Sequence, residues 1–576
     1  DDARTGAPRP ARLYKRPVEI IETRDPEQVR AILAGVREAT RLGLHAAGFL
    51  SYEAGHSLEE RLRPLCRTPD ADAPPLVWFG LFDGFEDIAP DELERRLPDP
   101  AGAFASAPEP LIGEAAYAEA AMRVKAHIEV GDIYQANLRF QAEVRVLGDP
   151  PVLYPPIRKR AAAGQGGIAF TGTHWLLSFS PELFFTLEKG RIVTRPMKGT
   201  ARREPEAESD RAAAQRLAVD PKQQAENLMI VDLLRNDLSR VSRPRTVKVP
   251  ALFEIETYPT VHQMTSTVIA ELEEGVSAVD VLHAIYPCGS ITGAPKIRAM
   301  EIIADLEEGP RGAYTGSIGW IAPDGAAGFN VAIRTLTMRH GEPRALLGLG
   351  SGIVADSEAG AEWRECLAKG AFVETGRGFF LIETMRFDPH EGIADLERHL
   401  ARMKRSAEAF GFSFDRHAAR NDLQAGTFRL RDPRRIRLIA SPGGAVVIEG
   451  RSMPPAPAEP VEVPVVPLPV SPDDFRLRHK TSDRAFHDQA RGDRFEVLFE
   501  DDEGFLTEGS FTSLFLERGD KLLTPPLSRG LLPGILRERL IEEGKAVEAD
   551  LTRADLEDGF YVGNSVRGLI RATLAR

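Results

Sequence analysis

The sequence predicts a mixed α/β (α+β) enzyme with two domains, and three observations support this prediction. The chain has 576 residues, more than one hydrophobic core usually serves, so roughly two to four domains are expected. Hydrophobic residues make up 43% and charged residues 28% of the chain, as is typical of globular proteins. Strand-like and helix-like segments alternate up to about residue 372, and the pattern restarts after a glycine-containing break at 374–378.

The first domain is predicted to begin with three strands and a helix. We place the strands at Val18–Ile21, Ala47–Tyr52 and Leu76–Leu81, and the helix at Val29–Leu42. A turn-rich patch follows at 98–110. Apolar residues then recur at i, i+4, i+7 and i+11 from Tyr117 to Ile128, which predicts an amphipathic helix that ends at Gly131.

The rest of the first domain mixes strands with helices and shows no short internal repeat. Strands are predicted at Ile168–Phe170, Leu183–Leu187 and Ala345–Leu349, and helices at Glu226–Leu238 and Ile297–Leu306. We therefore assign residues 1–373 to one enzyme domain, 374–378 to a linker and 379–576 to a second domain.

The second domain is predicted to have two lobes. It restarts with a strand at Phe379–Ile382 and a helix from Leu396 to about Phe410. Between Ser452 and Pro472 proline recurs nearly every third residue. We interpret this stretch as a stiff spacer between the lobes rather than a ligand for peptide-binding partners.

Composition excludes several classes of protein. The net charge of −13 argues against non-specific binding to nucleic acid or to an anionic membrane surface. Three widely spaced cysteines give neither a disulfide framework nor a zinc spacing. No apolar run is long enough to span a bilayer. The start of the chain lacks both methionine and a signal-peptide pattern. We expect a missing or processed start and a cytoplasmic protein.

Three segments of the first domain carry residues suited to chemistry. Glu362, Glu365 and Lys369 are spaced to share one helix face, and a third carboxylate such as Glu226 would complete a set of hard-oxygen ligands for Mg²⁺. On spacing alone, a solvated pair of Glu365 and Lys369 is the commoner arrangement. The loop 290–296 runs into a helix whose first N–H groups could bind a carboxylate. Lys198, on a turn framed by proline and glycine, could act as a nucleophile if its amine is desolvated, although most lysines are solvated.

Taken together, these motifs resemble the chorismate-utilising enzymes. The resemblance rests on segments 180–182, 195–200, 226–237, 288–297 and 350–357 and covers roughly residues 115–372. The family includes anthranilate, isochorismate and salicylate synthases and component I of aminodeoxychorismate synthase. Lys198 and the form of the 290–296 loop look like the aminodeoxychorismate branch. The resemblance implies a chorismate-binding-type β-sandwich surrounded by helices.

The same resemblance implies residue roles. Glu226 and Glu365 would hold Mg²⁺ against one chorismate carboxylate, with Glu362 as an additional or second-shell ligand. Substrate-binding roles fall on six residues: His262 near the ring, Thr292, Gly293, Arg334, Gly352 and Lys369. Glu182 would protonate the departing 4-hydroxyl. Lys198 would attack C2, and ammonia would then add at C4 and expel the lysine.

The sequence lacks a source of this ammonia. A class I glutaminase needs a nucleophilic cysteine on a tight, glycine-flanked turn. Cys66 has no such turn, and Cys288 and Cys366 belong to segments already assigned. We therefore expect a separate glutamine amidotransferase subunit as partner, with free ammonium as its substitute in vitro.

The second domain contains the residue types that bind pyridoxal phosphate. This cofactor needs an arginine for its phosphate, a lysine for a Schiff base and a carboxylate for its pyridine nitrogen. Arg402, Lys480 and Glu508 provide these groups. Taken singly, each could equally be an ordinary residue without a ligand: a surface arginine, a solvated lysine and a hairpin glutamate. A helix that begins after Pro533 and Gly534 could bind phosphate through its first N–H groups.

This ordered set resembles the fold type IV pyridoxal-phosphate enzymes over about residues 379–570. That group includes branched-chain and D-amino-acid aminotransferases and aminodeoxychorismate lyase. The resemblance implies a role for each of these residues: Lys480 as Schiff-base lysine and proton shuttle, Glu508 on the pyridine nitrogen, and Arg402, Ile535, Leu536 and Ser565 on the phosphate. Thr384 looks lyase-like and is a candidate catalytic residue. The usual N-terminal strand pair and Asp-Arg turn are absent, and Ser513 replaces a common asparagine.

The two resemblances together predict consecutive reactions. The first domain would make 4-amino-4-deoxychorismate, and the second would eliminate pyruvate to give p-aminobenzoate, a folate precursor. The alternatives are an anthranilate or isochorismate synthase in the first half, an amino-acid transaminase in the second, or a non-catalytic second domain that serves as a scaffold. Relatives of fold type IV suggest a homodimer through the second domain.

Overall fold

The computed structural model describes residues 1–4, 8–258, 261–375 and 378–575. It divides into two compact units. Unit 1 contains residues 1–100, 107–144 and 153–374, and unit 2 contains 101–106, 145–152 and 375–576. Of the predicted linker 374–378, Gly376 and Arg377 lie outside the described residues.

The helices that the structure describes vary from one turn to five. They are α1 Val29–Arg41, α2 Ala54–Leu58, α3 Pro90–Arg96, α4 Glu114–Glu129, α5 Pro150–Ala161, α6 Ala207–Val219, α7 Pro221–Ser239, α8 Ala278–Ile285, α9 Lys296–Leu306, α10 Ala359–Gly370, α11 Leu396–Phe410, α12 Arg416–Thr427, α13 Phe475–Arg478, α14 Ala485–Arg491 and α15 Ile535–Glu542. Among the described residues, no helix is long and apolar enough to cross a membrane.

The strands belong to sheets of mostly antiparallel pairs. They are β1 Ala11–Leu13, β2 Glu19–Thr23, β3 His45–Leu50, β4 Val77–Phe82, β5 Glu86–Ile88, β6 Phe104–Ala105, β7 Glu109–Pro110, β8 Gln135–Leu147, β9 Gln165–Phe170, β10 His174–Ser180, β11 Leu183–Glu188, β12 Arg191–Arg195, β13 Met197–Arg202, β14 Lys248–Thr257, β15 Val261–Glu271, β16 Gly293–Ala294, β17 Ser317–Ile321, β18 Ala327–Asn330, β19 Thr335–Arg339, β20 Arg344–Ile353, β21 Leu381–Asp388, β22 Gly392–Ile393, β23 Arg434–Ala440, β24 Val446–Ser452, β25 Val461–Val463, β26 Val465–Pro467, β27 Leu498–Glu500, β28 Leu506–Gly509, β29 Ser513–Arg518, β30 Lys521–Thr524, β31 Ala546–Glu548, β32 Phe560–Asn564 and β33 Gly568–Leu574.

Unit 1 is a β-sandwich. One sheet has the order β13-β15-β12-β11-β18-β17-β3-β4-β2, with β14 beside β15, and the other has the order β16-β8-β20-β19-β10-β9. Apolar side chains of α1, α7 and α8 pack against the first sheet. Its opposite face meets the second sheet where Phe49 and Trp78 contact Leu176. Burial on both faces explains why strands such as β4 are apolar throughout rather than alternating.

The predicted elements of unit 1 are present, with ends shifted by a few residues. The apolar stripe from Tyr117 forms α4, and Gly131, with a φ of +84°, follows its end as the sequence predicts. The segments predicted as strands in the first hundred residues form β2, β3 and β4 at one side of the large sheet. They therefore belong to the same core as the later strands.

A buried ion network ties the loop after α8 to the second sheet. Glu307 accepts hydrogen bonds from the guanidinium groups of both Arg139 and Arg311, and these side chains are 2–3% exposed. Arg311 also donates to the backbone oxygens of Ile291 and Asn137. One carboxylate therefore compensates two buried cations and fixes the position of the 289–295 loop.

Unit 2 has two lobes around separate sheets. The first lobe, residues 378–452, packs α11 and α12 on the sheet β22-β21-β23-β24. The second lobe, residues 461–575, contains the sheets β25-β33-β32-β29-β30-β31 and β26-β27-β28. Helix α15 packs on β29 of this lobe through Leu536 and Leu540.

The prediction that 452–472 is only a spacer is wrong. Two strands lie within it: β25 pairs in parallel with β33, and β26 pairs in parallel with β27. Both are edge strands of their sheets. Proline lacks a backbone N–H and is tolerated at a sheet edge, where one side of the strand needs no donor. A proline-rich composition therefore did not exclude strands here.

We expect Glu307→Gln to lower the free energy of unfolding by about 3–5 kcal/mol, because it leaves two buried guanidinium groups without their shared carboxylate. Urea unfolding followed by circular dichroism measures this loss. Glu308→Gln is the matched control, since the neighbouring side chain is exposed. Equal stability of the two variants would contradict the structural role of the network.

Candidate active sites

Lys198 lies in unit 1 near the start of β13, with its side chain 20% exposed. The hairpin of β11 and β12 carries the chain from Glu182 to this position. The Lys198 Nζ atom is 3.7 Å from an oxygen of Glu226 on α7. Burial lowers the pKa of Lys198, while the charge of Glu226 opposes that change. The neutral amine is the nucleophilic form, and a larger fraction of it is present here than on a solvated lysine at the same pH.

The predicted metal ligands surround Lys198 without forming a closed cluster. The charges of Glu226, Glu362 and Glu365 all act on its amine. Glu365 is ion-paired with Lys369 at 2.8 Å, and Glu362 accepts a 2.8 Å hydrogen bond from Ser357. Within the described residues, no three acidic, histidine or cysteine side chains are arranged to hold a metal ion. The donors themselves are carboxylates from two helices, α7 and α10, and are of the type that fits Mg²⁺.

Glu182 is a buried carboxyl group directly before β11, 4% exposed. Its Oε1 atom has no hydrogen-bond partner among the described residues. Burial raises the pKa of Glu182 to about 7, against hydrogen bonds from Ser290 and the Met197 backbone and the charge of Lys198. Near neutral pH, Glu182 can therefore carry a proton and donate it.

The predicted small-residue loop approaches the same region. Gly293 pairs with Ala136 of β8, and a Cβ atom on it would lie 2.2 Å from the Gln135 backbone oxygen. The Thr292 hydroxyl donates to the Gly289 oxygen at 3.1 Å. On β20, a Cβ atom on Gly352 would lie 2.6 Å from Lys198 Nζ. Glycine at 293 and 352 lets backbone and amine approach closely.

Lys369 and Arg334 are cations at two further predicted substrate-binding positions. The Lys369 Nζ atom donates to the Gly350 oxygen at 3.1 Å as well as pairing with Glu365. Arg334 has a φ of +50° and lies over the Phe372 ring at 5.8 Å. Burial lowers the pKa of Arg334, and its guanidinium has no acidic partner among the described residues. Such a cation is suited to an anionic ligand.

His262 is held by hydrogen bonds at both of its ring nitrogens. Its Nε2 atom is 2.9 Å from Asp210, and its Nδ1 atom is 3.0 Å from the Thr257 hydroxyl. Both ring nitrogens are therefore engaged by protein groups, and the residue joins β15 to α6. The position of His262 near the substrate ring stays a prediction.

Sequence reasoning missed Gln135, which lies beside Lys198. Its side chain is 1% exposed, and its Oε1 atom has no hydrogen-bond partner among the described residues. Its Nε2 atom and Lys198 Nζ both border the space above Gly352. Polar and apolar residues alternate along β8, so Gln135 does not stand out in the sequence.

Unit 2 contains a cavity of about 360 Å³ between its two lobes. Every residue that the sequence predicted for cofactor binding or catalysis in this unit lines it: Thr384, Arg402, Lys480, Glu508, Ile535, Leu536 and Ser565. Positions far apart in the chain therefore meet around one space.

Lys480 and Glu508 have strongly shifted acid–base properties in this cavity. Burial, together with the charge of Arg402, lowers the pKa of Lys480 to about 7, and Glu383 opposes this shift. Burial raises the pKa of Glu508 to about 8, although its Oε1 atom accepts a 3.1 Å hydrogen bond from the Leu532 N–H. A buried carboxyl group of this kind is stabilised as an anion by a cationic partner such as a pyridinium N–H.

A second residue that the sequence did not reveal, Glu383, holds Arg402. Its carboxylate accepts two hydrogen bonds from Arg402, at 2.7 and 2.8 Å, and one from His399 at 2.7 Å. The charges of Arg402 and His399 keep the pKa of Glu383 far below its usual range despite burial. Arg402 also donates to the Pro533 oxygen, directly before α15.

The start of α15 provides the remaining groups for a phosphate. Gly534 precedes the helix, and a Cβ atom there would lie 2.4 Å from the Ser513 hydroxyl oxygen. The N–H groups of Ile535 and Leu536 lie in the first turn, where helices bind anions. A reactive amine, a buried carboxyl group and a helix start around one cavity fit pyridoxal phosphate.

Comparison with known proteins identifies the family. Residues 3–375 match the family model of chorismate binding enzymes. The chain belongs to this family. Residues 380–575 match the family model of class IV amino-transferases. The two resemblances and the two-domain mixed α/β fold that the sequence predicts are confirmed.

Three individual proteins show how far the similarity extends. Aminodeoxychorismate synthase component 1 of Salmonella typhimurium is 45% identical over 255 residues, covering 44% of this chain and 55% of that protein. The 2-amino-4-deoxychorismate synthase of Streptomyces globisporus is 40% identical over 295 residues, covering 51% and 58%. The structure of anthranilate synthase component I from Streptococcus pneumoniae has a TM-score of 0.54 at 26% identity, covering 64% and 93%. The chain thus spans little more than half the length of the curated relatives it matches.

We expect Gly293→Ala to destabilise the chorismate-binding domain by about 1–3 kcal/mol, because the new Cβ atom meets the backbone oxygen of Gln135, which cannot rotate away. Thermal unfolding measures the change. Gly113→Ala is the control, since no atom lies within 4 Å of its added Cβ. An unchanged melting temperature for Gly293→Ala would show that β16 does not pair with β8 as described.

Proposed function

We propose that this chain converts chorismate and ammonia to p-aminobenzoate in two steps. The observation that carries the proposal is the pairing of Lys198, an amine whose pKa is lowered by burial, with Glu182, a carboxyl group whose pKa is raised to about 7. These two groups supply the nucleophile and the general acid that replacement of a hydroxyl by ammonia requires. Similarity to aminodeoxychorismate synthase component 1 supports the same substrate.

The first step replaces the 4-hydroxyl of chorismate with an amino group. Glu182 donates its proton to the oxygen that leaves as water, and Lys198 forms a bond to C2 as the C4–O bond breaks. Ammonia then adds at C4 and expels the lysine amine, which gives 4-amino-4-deoxychorismate. The overall balance is chorismate plus ammonia to product plus water.

Binding chorismate, a dianion, requires positive charge around the reacting ring. Arg334 and Lys369 supply cations, and Thr292, Gly293 and Gly352 supply backbone groups and close approach. Glu226 and Glu365, with Glu362, would hold Mg²⁺, which neutralises carboxylate charge when bound. The carboxylates also lie around the Lys198 amine and keep a proton acceptor close to it.

A second candidate is amination at C2 rather than C4. The similarity to the 2-amino-4-deoxychorismate synthase of Streptomyces globisporus, at 40% identity, favours it. Lys198 distinguishes the two, because a lysine bound at C2 blocks that carbon and leaves C4 for ammonia. The product therefore reports directly whether Lys198 acts as a nucleophile.

The second step is the elimination of pyruvate in unit 2. Lys480, Arg402, Ile535, Leu536 and Ser565 would hold pyridoxal phosphate, which when bound withdraws electrons from the carbon beside the amino group. Glu508 would hold a proton at the pyridine nitrogen. Lys480 Nζ, with a pKa of about 7, is suited to remove and return a proton at physiological pH. Thr384 lies on the same wall and would position the leaving enolpyruvyl group.

The proposal also includes partners and boundaries. A separate glutamine amidotransferase subunit would supply ammonia, and ammonium would replace it in vitro. The chorismate-binding domain would extend to residue 373 and the pyridoxal-phosphate domain would begin at 379. The second domain would form a homodimer.

Product analysis tests both steps with matched variants. Chorismate, Mg²⁺, ammonium and pyridoxal phosphate are incubated with the purified chain. The products p-aminobenzoate, anthranilate, 4-amino-4-deoxychorismate, 2-amino-4-deoxychorismate and pyruvate are then separated by chromatography. We expect equal amounts of p-aminobenzoate and pyruvate from the wild type, accumulation of 4-amino-4-deoxychorismate from Lys480→Ala, and neither product from Lys198→Ala.

Each other outcome has a definite meaning. Formation of 2-amino-4-deoxychorismate or anthranilate by the wild type would show amination at C2 rather than at C4. Unchanged product from Lys198→Ala would remove this lysine from the mechanism. Accumulated 4-amino-4-deoxychorismate in the wild type, with pyridoxal phosphate bound, would show that unit 2 is not a lyase.

We expect the pH profile of the first step to have a falling limb near pH 7. Glu182 must be protonated to act as an acid, and its protonated fraction decreases as the pH rises through its pKa of about 7. The measurement is kcat/KM for chorismate at a constant concentration of free ammonia. Glu182→Gln should lower the rate by about 10²–10⁴-fold and abolish the falling limb. A wild-type profile without that limb would contradict the role of Glu182.

A further inference from the structure

The cavity of unit 2 carries more positive charge than the cofactor requires. Six arginines and Lys480 line it, and Glu508 is the acidic residue among the lining groups. Some of these arginines have acidic partners elsewhere: Arg402 is bound by Glu383, and Arg476 by Asp474. Arg491 is bound by Asp488, and Arg484, which has no ion pair among the described residues, donates to the Ser510 backbone oxygen and lies within the field of Glu508. Arg435 and Arg567 also have no ion pair among the described residues, and Glu508 is not among the charges that act on Arg567. Arg435 and Arg567 are therefore positive charges beyond those that the cofactor requires.

Arg435 occupies an unfavourable position in the first lobe. It lies on β23, directly opposite Arg386 of β21 and Arg451 of β24. Like charges that face each other across strands destabilise a sheet. The Arg435 guanidinium also has no hydrogen bond or ion pair among the described residues, although it faces the cavity. Arg386, Arg435 and Arg451 thus form a row across three strands, and no contact within the described part of this lobe accounts for an arginine at its centre.

Arg567 approaches from the second lobe, just after β32. It donates one hydrogen bond, to the Pro455 oxygen at 2.9 Å, and lies over the Phe495 ring at 5.6 Å. Burial lowers the pKa of Arg567, and the charge of Arg435 lowers it further. Two guanidinium groups from different lobes therefore face one space, and neither is ion-paired with a carboxylate in the part of the chain that the structure describes.

We infer that Arg435 and Arg567 bind a carboxylate of the substrate that is remote from its reacting amino group. The two residues would make the cavity selective for ring amines that carry a carboxylate across the ring. This inference rests on the proposed function, because 4-amino-4-deoxychorismate has its amino group at C4 and a carboxylate at C1. An arginine pair suits a carboxylate because guanidinium groups donate two parallel hydrogen bonds.

Kinetics of the loaded holoenzyme test the inference, with 4-amino-4-deoxychorismate as substrate. We expect Arg435→Gln and Arg567→Gln each to raise KM by about 10- to 100-fold with a smaller change in kcat, since each removes charge-assisted hydrogen bonds to bound substrate. Arg435→Lys keeps the charge and should recover part of the loss. Arg451→Gln is the control, because Arg451 is in the same row, is ion-paired with Glu449 and does not line the cavity.

A second measurement does not depend on turnover. Binding of p-aminobenzoate and of p-aminobenzamide, which lacks the carboxylate, is followed by the change in the absorption band of bound pyridoxal phosphate. The wild type and Arg451→Gln should prefer the benzoate, and both cavity variants should lose that preference. The melting temperature of Arg435→Gln should stay equal or rise, because a repulsion is removed.

The outcomes separate the inference from the function on which it rests. If the wild type forms p-aminobenzoate but both variants keep wild-type KM and the benzoate preference, the inference is overturned and the function stands. If the wild type forms none yet shows an arginine-dependent benzoate preference, the site is supported and the lyase assignment fails. A lowered melting temperature in Arg435→Gln would assign that residue a structural role and overturn its part in the site.

Discussion

Both candidate sites depend on taking a lysine amine out of water. An ammonium ion loses its hydration when it is buried, so its pKa decreases and the neutral amine becomes available near neutral pH. Lys198 and Lys480 are both in this situation, with opposite surroundings. Carboxylates from two helices surround Lys198, whereas the charge of Arg402 adds to the effect of burial at Lys480. The first environment also suits a metal, and the second suits a phosphate.

Buried ion pairs hold the groups around these amines in place. Glu383 binds both Arg402 and His399, and Glu307 binds both Arg139 and Arg311. Such networks are poor evidence of added stability, because desolvation offsets much of the attraction. Their value here is geometric, since each carboxylate fixes a guanidinium that in turn orients a loop: the 289–295 loop in unit 1 and the start of α15 in unit 2.

The sequence was sufficient for most of the elements and for naming candidate residues. Apolar periodicity placed α4 and α11, and motifs selected Glu182, Lys198, Lys480 and Glu508 as candidates, whose roles stay predictions. Features that depend on which strands pair could not be predicted from the sequence. Gln135, Glu383 and Arg435 are significant because of what lies across a strand or in another lobe, and period-two patterns do not reveal their neighbours. The link between His262 and Asp210 on α6 was hidden for the same reason, since 52 residues separate the two in sequence.

The row formed by Arg386, Arg435 and Arg451 across the first lobe has a consequence for how the domain responds to ionic strength. Dissolved salt screens repulsion between partly exposed charges over distances of about 10 Å at 0.1 M. Added salt therefore relieves strain in this sheet, and it also weakens attraction between the same guanidinium groups and an anion. High salt thus stabilises the first lobe without a bound carboxylate and weakens binding of that carboxylate. At low ionic strength, the stability of the sheet depends more strongly on whether the carboxylate is bound.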